Sequence, residues 1–140
     1  MNWRNYGHIY LAGNGGSAAN AIHIANDFLM VGLKAYTLDI ASLTRTANDH
    51  GYDYIFSDWL ETVGEPSDLL IALSGSGRSP NIINALHMAK SKQMTTLGVF
   101  GAYNEHEPIC DILSLGGDTM QEAEQYQLVW AHEVMLKLRK

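Results

Sequence analysis

Short apolar runs alternate with helical patterns along the whole sequence, and this alternation limits the fold more than any other feature. The apolar runs cover residues 8–12, 35–38, 69–73, 95–100 and 112–115. Between them apolar residues recur at helical spacing, first along 17–29 and last along 121–138. Strands that alternate with helices favour a parallel sheet covered on both faces, with right-handed crossovers. We therefore predict an α/β three-layer sandwich around a five-stranded, doubly wound parallel sheet.

Three further helical segments are predicted over residues 42–48, 52–63 and 80–92, with Ser42 as the cap of the first. Pro80 suits a first helical turn, where the missing amide hydrogen has no partner in any case. The sequence has no internal repeat, linker or long run of like charges. We therefore expect residues 1–140 to form one domain with one core.

Composition excludes several classes of protein. The formal net charge is −6 with only nine lysines and arginines, which argues against a nucleic-acid partner. No apolar run approaches the length of about 20 residues that crosses a bilayer, and residues 1–8 do not resemble a signal peptide. A single cysteine, Cys110, cannot form an internal disulfide or a thiolate cluster. We expect a cytoplasmic protein without a membrane partner.

The turn after the third apolar run is rich in serine and glycine. Three hydroxyls, backbone amides freed by glycine and the start of a helix together suit a phosphate dianion. In a parallel sheet such a turn also lies at the carboxyl end of a strand, where ligands bind. The alternative is an ordinary strand-to-helix turn capped by Ser79. The predicted phosphate site consists of Ser74, Gly75, Ser76 and Ser79.

A second glycine-rich turn, residues 13–17, follows the first apolar run. Its glycines, Gly15 among them, allow a ligand close to the backbone, and Ser17 either caps the next helix or contacts that ligand. The glycine spacing is not that of a dinucleotide site. Asp39, at the end of the second predicted strand, keeps nucleotide binding open as an alternative. We expect no nucleotide cofactor.

Two pairs of ionisable residues lie on the first and last long helices. His23 and Asp27 are four residues apart and therefore share a helix face. Glu124 and His132 are eight apart and differ by about 80° in direction, so both can address one cleft. The alternatives are a surface pair for the first two and a core histidine for His132. If the helices meet, four proton-transferring or metal-binding groups converge.

Four motifs together resemble a known family. They are GNGGSAA at residues 13–19, HIAND at 23–27, ANDHGY at 47–52 and LSGSGRSP at 73–80. In this order they resemble the sugar isomerase (SIS) domains, which have a flavodoxin-like sheet. Within these domains they are similar to the phosphoheptose isomerase group, which converts sedoheptulose 7-phosphate.

The resemblance implies roles for particular residues. Ser74, Ser76 and Ser79 match the phosphate-binding serines of the family, and Gly75 stands where a threonine or another small residue is common. Residues that line the sugar site are matched by Asn14, Ser17 and Asp49. His23 matches a histidine that helps to bind zinc in some members.

The resemblance also implies an activity, the interconversion of an aldose and a ketose through an enediol. Asp27 stands where the best-known members have a glutamate as catalytic base, and His132 matches the histidine opposite it. Glu124 occupies a place usually held by glutamine. Asp27 or Glu124 would then be the base and His132 the acid. Zinc bound by His23, Asp27, Glu124 and His132 is one alternative, and a metal-free site is the other.

Family members usually carry N-terminal helices that pack between subunits, and these are not found in this sequence. The resemblance still implies a homo-oligomer, a dimer or a tetramer, which binds a phosphorylated sugar. The competing interpretation is a non-catalytic module that binds phosphosugars or a protein partner. A structural dimer subunit with a vestigial site is a third interpretation.

Overall fold

A five-stranded parallel sheet forms the centre of the computed structural model, which describes residues 1–101 and 110–139. Its spatial order, β2-β1-β3-β4-β5, is the flavodoxin-like doubly wound order. This confirms the predicted fold class. The strands are β1 (Ile9–Gly13), β2 (Ala35–Thr37), β3 (Leu69–Ser74), β4 (Thr95–Phe100) and β5 (Asp111–Ser114).

Helices follow the strands, as the alternating pattern predicts. They are α1 (Gly16–Met30), α2 (Ile40–Asp49), α3 (Ile55–Val63), α4 (Pro80–Ser91) and α5 (Met120–Leu138), with short 3-10 turns at Trp3–Asn5 and Tyr52–Tyr54. Within the described residues, no helix combines the length and the apolar character that a membrane span requires.

The prediction that Ser42 caps α2 is wrong. The cap is Asp39, whose carboxylate accepts the backbone N–H of Ser42 at 3.0 Å. A carboxylate at the N-cap position satisfies an amide that has no partner within the helix, and it also lies at the positive end of the helix dipole. The acidic residue at the end of β2 therefore has a local structural role.

The sheet divides the core into two layers. On one face α1 and α5 pack through residues such as Ile24, Phe28 and Ala131. On the other face α3 and α4 contribute Leu60 and Leu86, among others. All five residues of β1 and all six of β3 are buried, because these central strands are covered on both faces.

Arg4 connects the ends of two helices of the first layer. Its Nη1 donates to the carbonyl of Val31 at 2.9 Å, and its Nη2 donates to the carbonyl of Leu138 at 3.1 Å. Val31 ends α1 and Leu138 lies in the last turn of α5. The guanidinium therefore satisfies carbonyls that these helix ends leave without a partner within the helix.

The register of the central strands brings the two glycine-rich turns side by side. Gly13 at the end of β1 pairs with Leu73, next to the end of β3. Between these strands the chain order reverses, and the carboxyl ends at such a reversal are the usual ligand site of open α/β sheets. The fold therefore places both predicted turns at one crevice.

Candidate active site

A small pocket of about 40 Å³ lies at the serine-rich turn after β3. A volume of this size exceeds the minimum of about 10–15 Å³ for one water several-fold, so a compact oxyanion group fits better than a ring. Six residues predicted from the sequence line it: Asn14, Ser17, Ser74, Gly75, Ser76 and Ser79, together with Leu73 and Met120. The structure thus brings the two turns together around one cavity.

Hydrogen bonds within the turn orient two of its hydroxyls. The Ser74 Oγ accepts the backbone N–H of Gly77 at 2.9 Å, and the Ser76 Oγ accepts that of Arg78 at 3.2 Å. Since each oxygen acts as an acceptor here, each hydroxyl hydrogen is available for donation to a ligand. Ser79 is the N-cap residue of α4, but its side chain forms no capping hydrogen bond. A simple capping role for Ser79 therefore does not explain this turn.

Gly75 is in close contact with the first residue of α5. A Cβ atom at position 75 would lie 2.6 Å from the Sδ of Met120. The glycine thus makes room for the Met120 side chain, which forms one wall of the pocket. Met120 could not be predicted as a site residue from the sequence, because only the fold brings the start of α5 to this turn.

Asn14 in the first glycine-rich turn forms a reciprocal amide pair with Asn81 at the start of α4. Its Nδ2 donates to Asn81 Oδ1 at 2.8 Å, and the Nδ2 of Asn81 donates back to Asn14 Oδ1 at 2.8 Å. The hydroxyl of Tyr52 donates to the same Asn14 oxygen at 2.9 Å. Asn81 is buried and Tyr52 is exposed. Neither residue was predicted as a site residue from the sequence, although Asn81 directly follows the LSGSGRSP motif.

Gly15 and Asp49, two further predicted site residues, do not line this pocket. Gly15 is the N-cap of α1 with φ 55°, a left-handed conformation that favours glycine. Asp49 is exposed at the end of α2, where its carboxylate accepts the side-chain N–H of Asn48 at 2.8 Å.

Three ionisable side chains meet where α1 packs on α5. The Nε2 atoms of His23 and His132 lie 3.0 Å apart, and each lies 3.3 Å from the Oδ2 of Asp27. This carboxylate oxygen is buried, and neither contact gives it a partner with hydrogen-bond geometry. The imidazole side chains are about half exposed, 53% for His23 and 44% for His132.

The spacing of these three atoms suits a metal ion. Ligands about 2.0–2.1 Å from a tetrahedral zinc lie about 3.3 Å from one another. The observed separations of 3.0–3.3 Å are close to this, and two imidazoles with one carboxylate form an acceptable donor set. A buried carboxylate oxygen without a partner also favours a cation or a proton at this point. His23, Asp27 and His132 therefore fit a metal site.

Glu124 does not join this cluster, contrary to the expectation of four convergent groups. Its carboxylate lies against the start of α1, at the position that a side chain on Gly16 would occupy. Eight residues along α5 separate Glu124 from His132 by about 12 Å along the helix axis, and this separation outweighs a difference in direction of only about 80°. A carboxylate at this point lies near the positive end of α1.

A buried polar network joins α1 to α5 between the pocket and the cluster. The Asn20 Nδ2 donates to Gln127 Oε1 at 2.9 Å and to the backbone carbonyl of Glu124 at 2.8 Å. The Gln127 Nε2 donates to Ser17 Oγ at 3.2 Å. Ser17, Asn20 and Gln127 are all buried, so these bonds fix the register of the two helices.

Comparison with known families shows which family has this fold and these motifs. Residues 1–101 match the model of the SIS domain. The chain belongs to the SIS domain family. Both glycine-rich turns and the His23–Asp27 pair of this SIS domain lie within the matched residues, whereas α5 follows them.

Two bacterial phosphoheptose isomerases are similar in sequence to this SIS domain. The enzyme of Burkholderia pseudomallei strain 1710b is 44% identical over 116 residues, which are 76% of this chain and 59% of that protein. The enzyme of Bradyrhizobium sp. BTAi1 is 37% identical over 136 residues, 90% of this chain and 69% of that protein. The chain therefore spans about three fifths to two thirds of the length of these relatives.

A solved structure agrees with the sequence relatives. The phosphoheptose isomerase of Neisseria gonorrhoeae superposes with a TM-score of 0.89 at 28% identity. The superposition covers 98% of this chain and 78% of that one. Nearly the whole of this SIS domain is thus similar in structure to that enzyme.

Proposed function

We propose that this SIS domain is a sugar-phosphate isomerase that interconverts an aldose and a ketose, with a sedoheptulose 7-phosphate-like substrate. The observation that carries the proposal is the buried Asp27 carboxylate between two imidazoles, on the same helix that begins at the serine pocket. The similarity to phosphoheptose isomerases supports the same activity.

In this proposal the pocket holds the phosphate of the sugar. Ser74, Ser76 and Ser79 donate hydroxyl hydrogens to its oxygens, and the backbone amides at the start of α4 add partial positive charge. Among the residues that the structure describes, the pocket lining includes neither lysine nor arginine, so the proposed recognition uses neutral donors. Asn14, Gly15, Ser17 and Asp49 are assigned to the sugar on the strength of the family resemblance.

The isomerisation requires a base and an acid. The base removes a proton from the carbon next to the carbonyl while the acid protonates the carbonyl oxygen, which gives an enediol. Return of the proton to the neighbouring carbon, with loss of the other hydroxyl proton, completes the exchange. We assign the base to Asp27 and the acid to His132. Glu124 is the alternative base, since its carboxylate lies at the end of α1 nearest the pocket.

We further propose that the histidine–aspartate cluster between α1 and α5 binds zinc. His23, Asp27 and His132 would hold it, and Glu124 would join only if its side chain turned away from Gly16. A bound zinc would supply a Lewis acid that polarises sugar oxygens. The metal-free alternative uses the same residues as proton carriers.

We also propose that the domain works as a cytoplasmic homo-oligomer. The helices α1 and α5, which bear the half-exposed cluster, also expose large apolar side chains, including Ile22, Met30, Val129 and Leu136. A second copy on this layer would cover apolar surface and exclude water from the proton-transfer site. Analytical ultracentrifugation measures the oligomeric state directly. A monomer at the concentration used for the activity assay would contradict the proposed homo-oligomer.

The activity is tested with His132→Ala and a matched control, His87→Ala, at an exposed histidine on α4. General acid–base residues contribute about 10²–10⁴-fold, so turnover of sedoheptulose 7-phosphate should fall at least about 100-fold in His132→Ala only. Binding of inorganic phosphate should be the same in both variants. Zinc is tested by metal analysis of wild type and Asp27→Asn, which should lose the ion.

The competing function is a non-catalytic module that binds phosphosugars or a protein. The half-exposed cluster favours it, because an isomerase normally shields its proton transfers from water. A module predicts that the wild type binds sedoheptulose 7-phosphate without turnover. A vestigial site predicts that millimolar sugar phosphate leaves the melting temperature unchanged.

A further inference from the structure

We infer that Asn81 and Tyr52 are positioning residues that leave Asn14 with a single hydrogen-bond donor for the ligand. The inference rests on the proposed function, because it concerns the same phosphosugar site. It adds two residues to that site and defines which kind of ligand atom Asn14 can meet.

The hydrogen-bonding capacity of Asn14 is almost fully used by the protein. Its Oδ1 accepts from Asn81 at 2.8 Å and from the Tyr52 hydroxyl at 2.9 Å, which takes both lone pairs. One hydrogen of its Nδ2 goes to Asn81 Oδ1 at 2.8 Å. The second Nδ2 hydrogen is left, and Asn14 lines the pocket.

It follows that Asn14 can donate to a ligand but has no lone pair with which to accept from one. Within the sugar, to which Asn14 is assigned, a carbonyl oxygen satisfies this single donor. A sugar hydroxyl is satisfied only through its oxygen, with its own hydrogen directed elsewhere. Asn14 thus discriminates among ligand atoms by their accepting capacity.

The two partners fix Asn14 from different elements. Asn81 lies in the first turn of α4, directly after the serine turn, and is only 2% exposed. Tyr52 comes from the turn that follows α2 and Asp49. Since the reciprocal pair joins the first glycine-rich turn to the helix after the second, a shift of either turn would move the Asn14 donor. The same three side chains therefore connect the serine pocket to the turn that follows α2.

The first test is Tyr52→Phe, which removes the hydroxyl that donates to Asn14 and keeps the ring. Tyr54→Phe is the matched control at an exposed tyrosine two residues away, whose ring stacks on His50. Loss of one orienting hydrogen bond should weaken binding of sedoheptulose 7-phosphate about three- to tenfold in Tyr52→Phe only. Affinity for inorganic phosphate should change less than twofold, because the turn hydroxyls are untouched.

A double-mutant cycle separates a positioning role from direct contact. If Tyr52 acts through Asn14, Tyr52→Phe should have no further effect on binding in an Asn14→Ala background. Asn81→Asp replaces the donor to Asn14 Oδ1 by an oxygen, and it should lower affinity for the sugar phosphate at least as much as Tyr52→Phe. Melting temperatures of all variants show whether each one folds.

Three results would overturn the inference. The first is that Tyr54→Phe weakens binding of sedoheptulose 7-phosphate as much as Tyr52→Phe does, and the second is that Tyr52→Phe weakens binding of inorganic phosphate equally. The third is that Tyr52→Phe keeps its full effect on sugar-phosphate binding in the Asn14→Ala background. These differ from failure of the proposed function, which is seen in the wild type alone. A wild type that binds neither inorganic phosphate nor sedoheptulose 7-phosphate refutes the site itself.

Discussion

From the buried network between α1 and α5 we predict that Gln127→Leu lowers the free energy of unfolding. Leucine has a similar size, but it removes the acceptor of Asn20 at 2.9 Å and the donor to Ser17 at 3.2 Å. Asn20 keeps its bond to the carbonyl of Glu124. The Asn20 hydrogen that Gln127 accepted and the Ser17 hydroxyl are both left without a partner. Each costs about 1–3 kcal/mol when buried, partly offset by the more apolar leucine. We expect a net loss of about 2–4 kcal/mol.

The assay is urea unfolding followed by circular dichroism, with Gln125→Leu as the control. Gln125 is exposed on the same helix, so the identical chemical change there should alter stability by no more than about 0.5 kcal/mol. The m-value should stay constant in both variants, because neither changes the surface exposed on unfolding. Equal unfolding midpoints for Gln127→Leu and Gln125→Leu would refute the reasoning.

Three other predictions concern single positions. The backbone N–H of Ser42 holds the pKa of Asp39 below its ordinary 3.8, so Asp39→Ala should lower the melting temperature at pH 7. That difference should narrow below about pH 4, as protonation removes the capping charge; a constant gap contradicts this. A Cβ on Gly13 would lie 2.7 Å from the Ser17 carbonyl, so Gly13→Ala should cost about 1–3 kcal/mol in urea unfolding; unchanged stability contradicts the close approach. Burial raises the pKa of Cys110, so iodoacetamide at pH 8 should react more slowly with native than with urea-unfolded protein; equal rates contradict it.

The fold could be predicted from the sequence because its strands are short apolar runs bounded by turn residues. Residues 95–100 were predicted as a strand and form β4 with the same bounds. The start of α2 could not be placed correctly, because Asp39 and Ser42 are both good caps and the pattern does not rank them. Propensity locates an element better than its first residue.

The candidate site was only partly predictable. His23 and Asp27 share a helix face, so local geometry is enough to pair them. Their contact with His132 depends on how α1 packs on α5, which local spacing does not determine. The same packing directs Glu124 to Gly16 and places Met120 over Gly75. Contacts between distant segments therefore account for what the sequence missed.

Arg4 has a consequence for the chemistry of its own layer. A guanidinium is a flat fork with a fixed separation between its nitrogens, so its two acceptors cannot drift apart independently. These acceptors are the closing carbonyls of α1 and α5, the helices that bear His23 and His132. The gap between the imidazoles is thus partly set at the carboxyl ends of both helices, where Arg4 holds the two backbones at a fixed spacing.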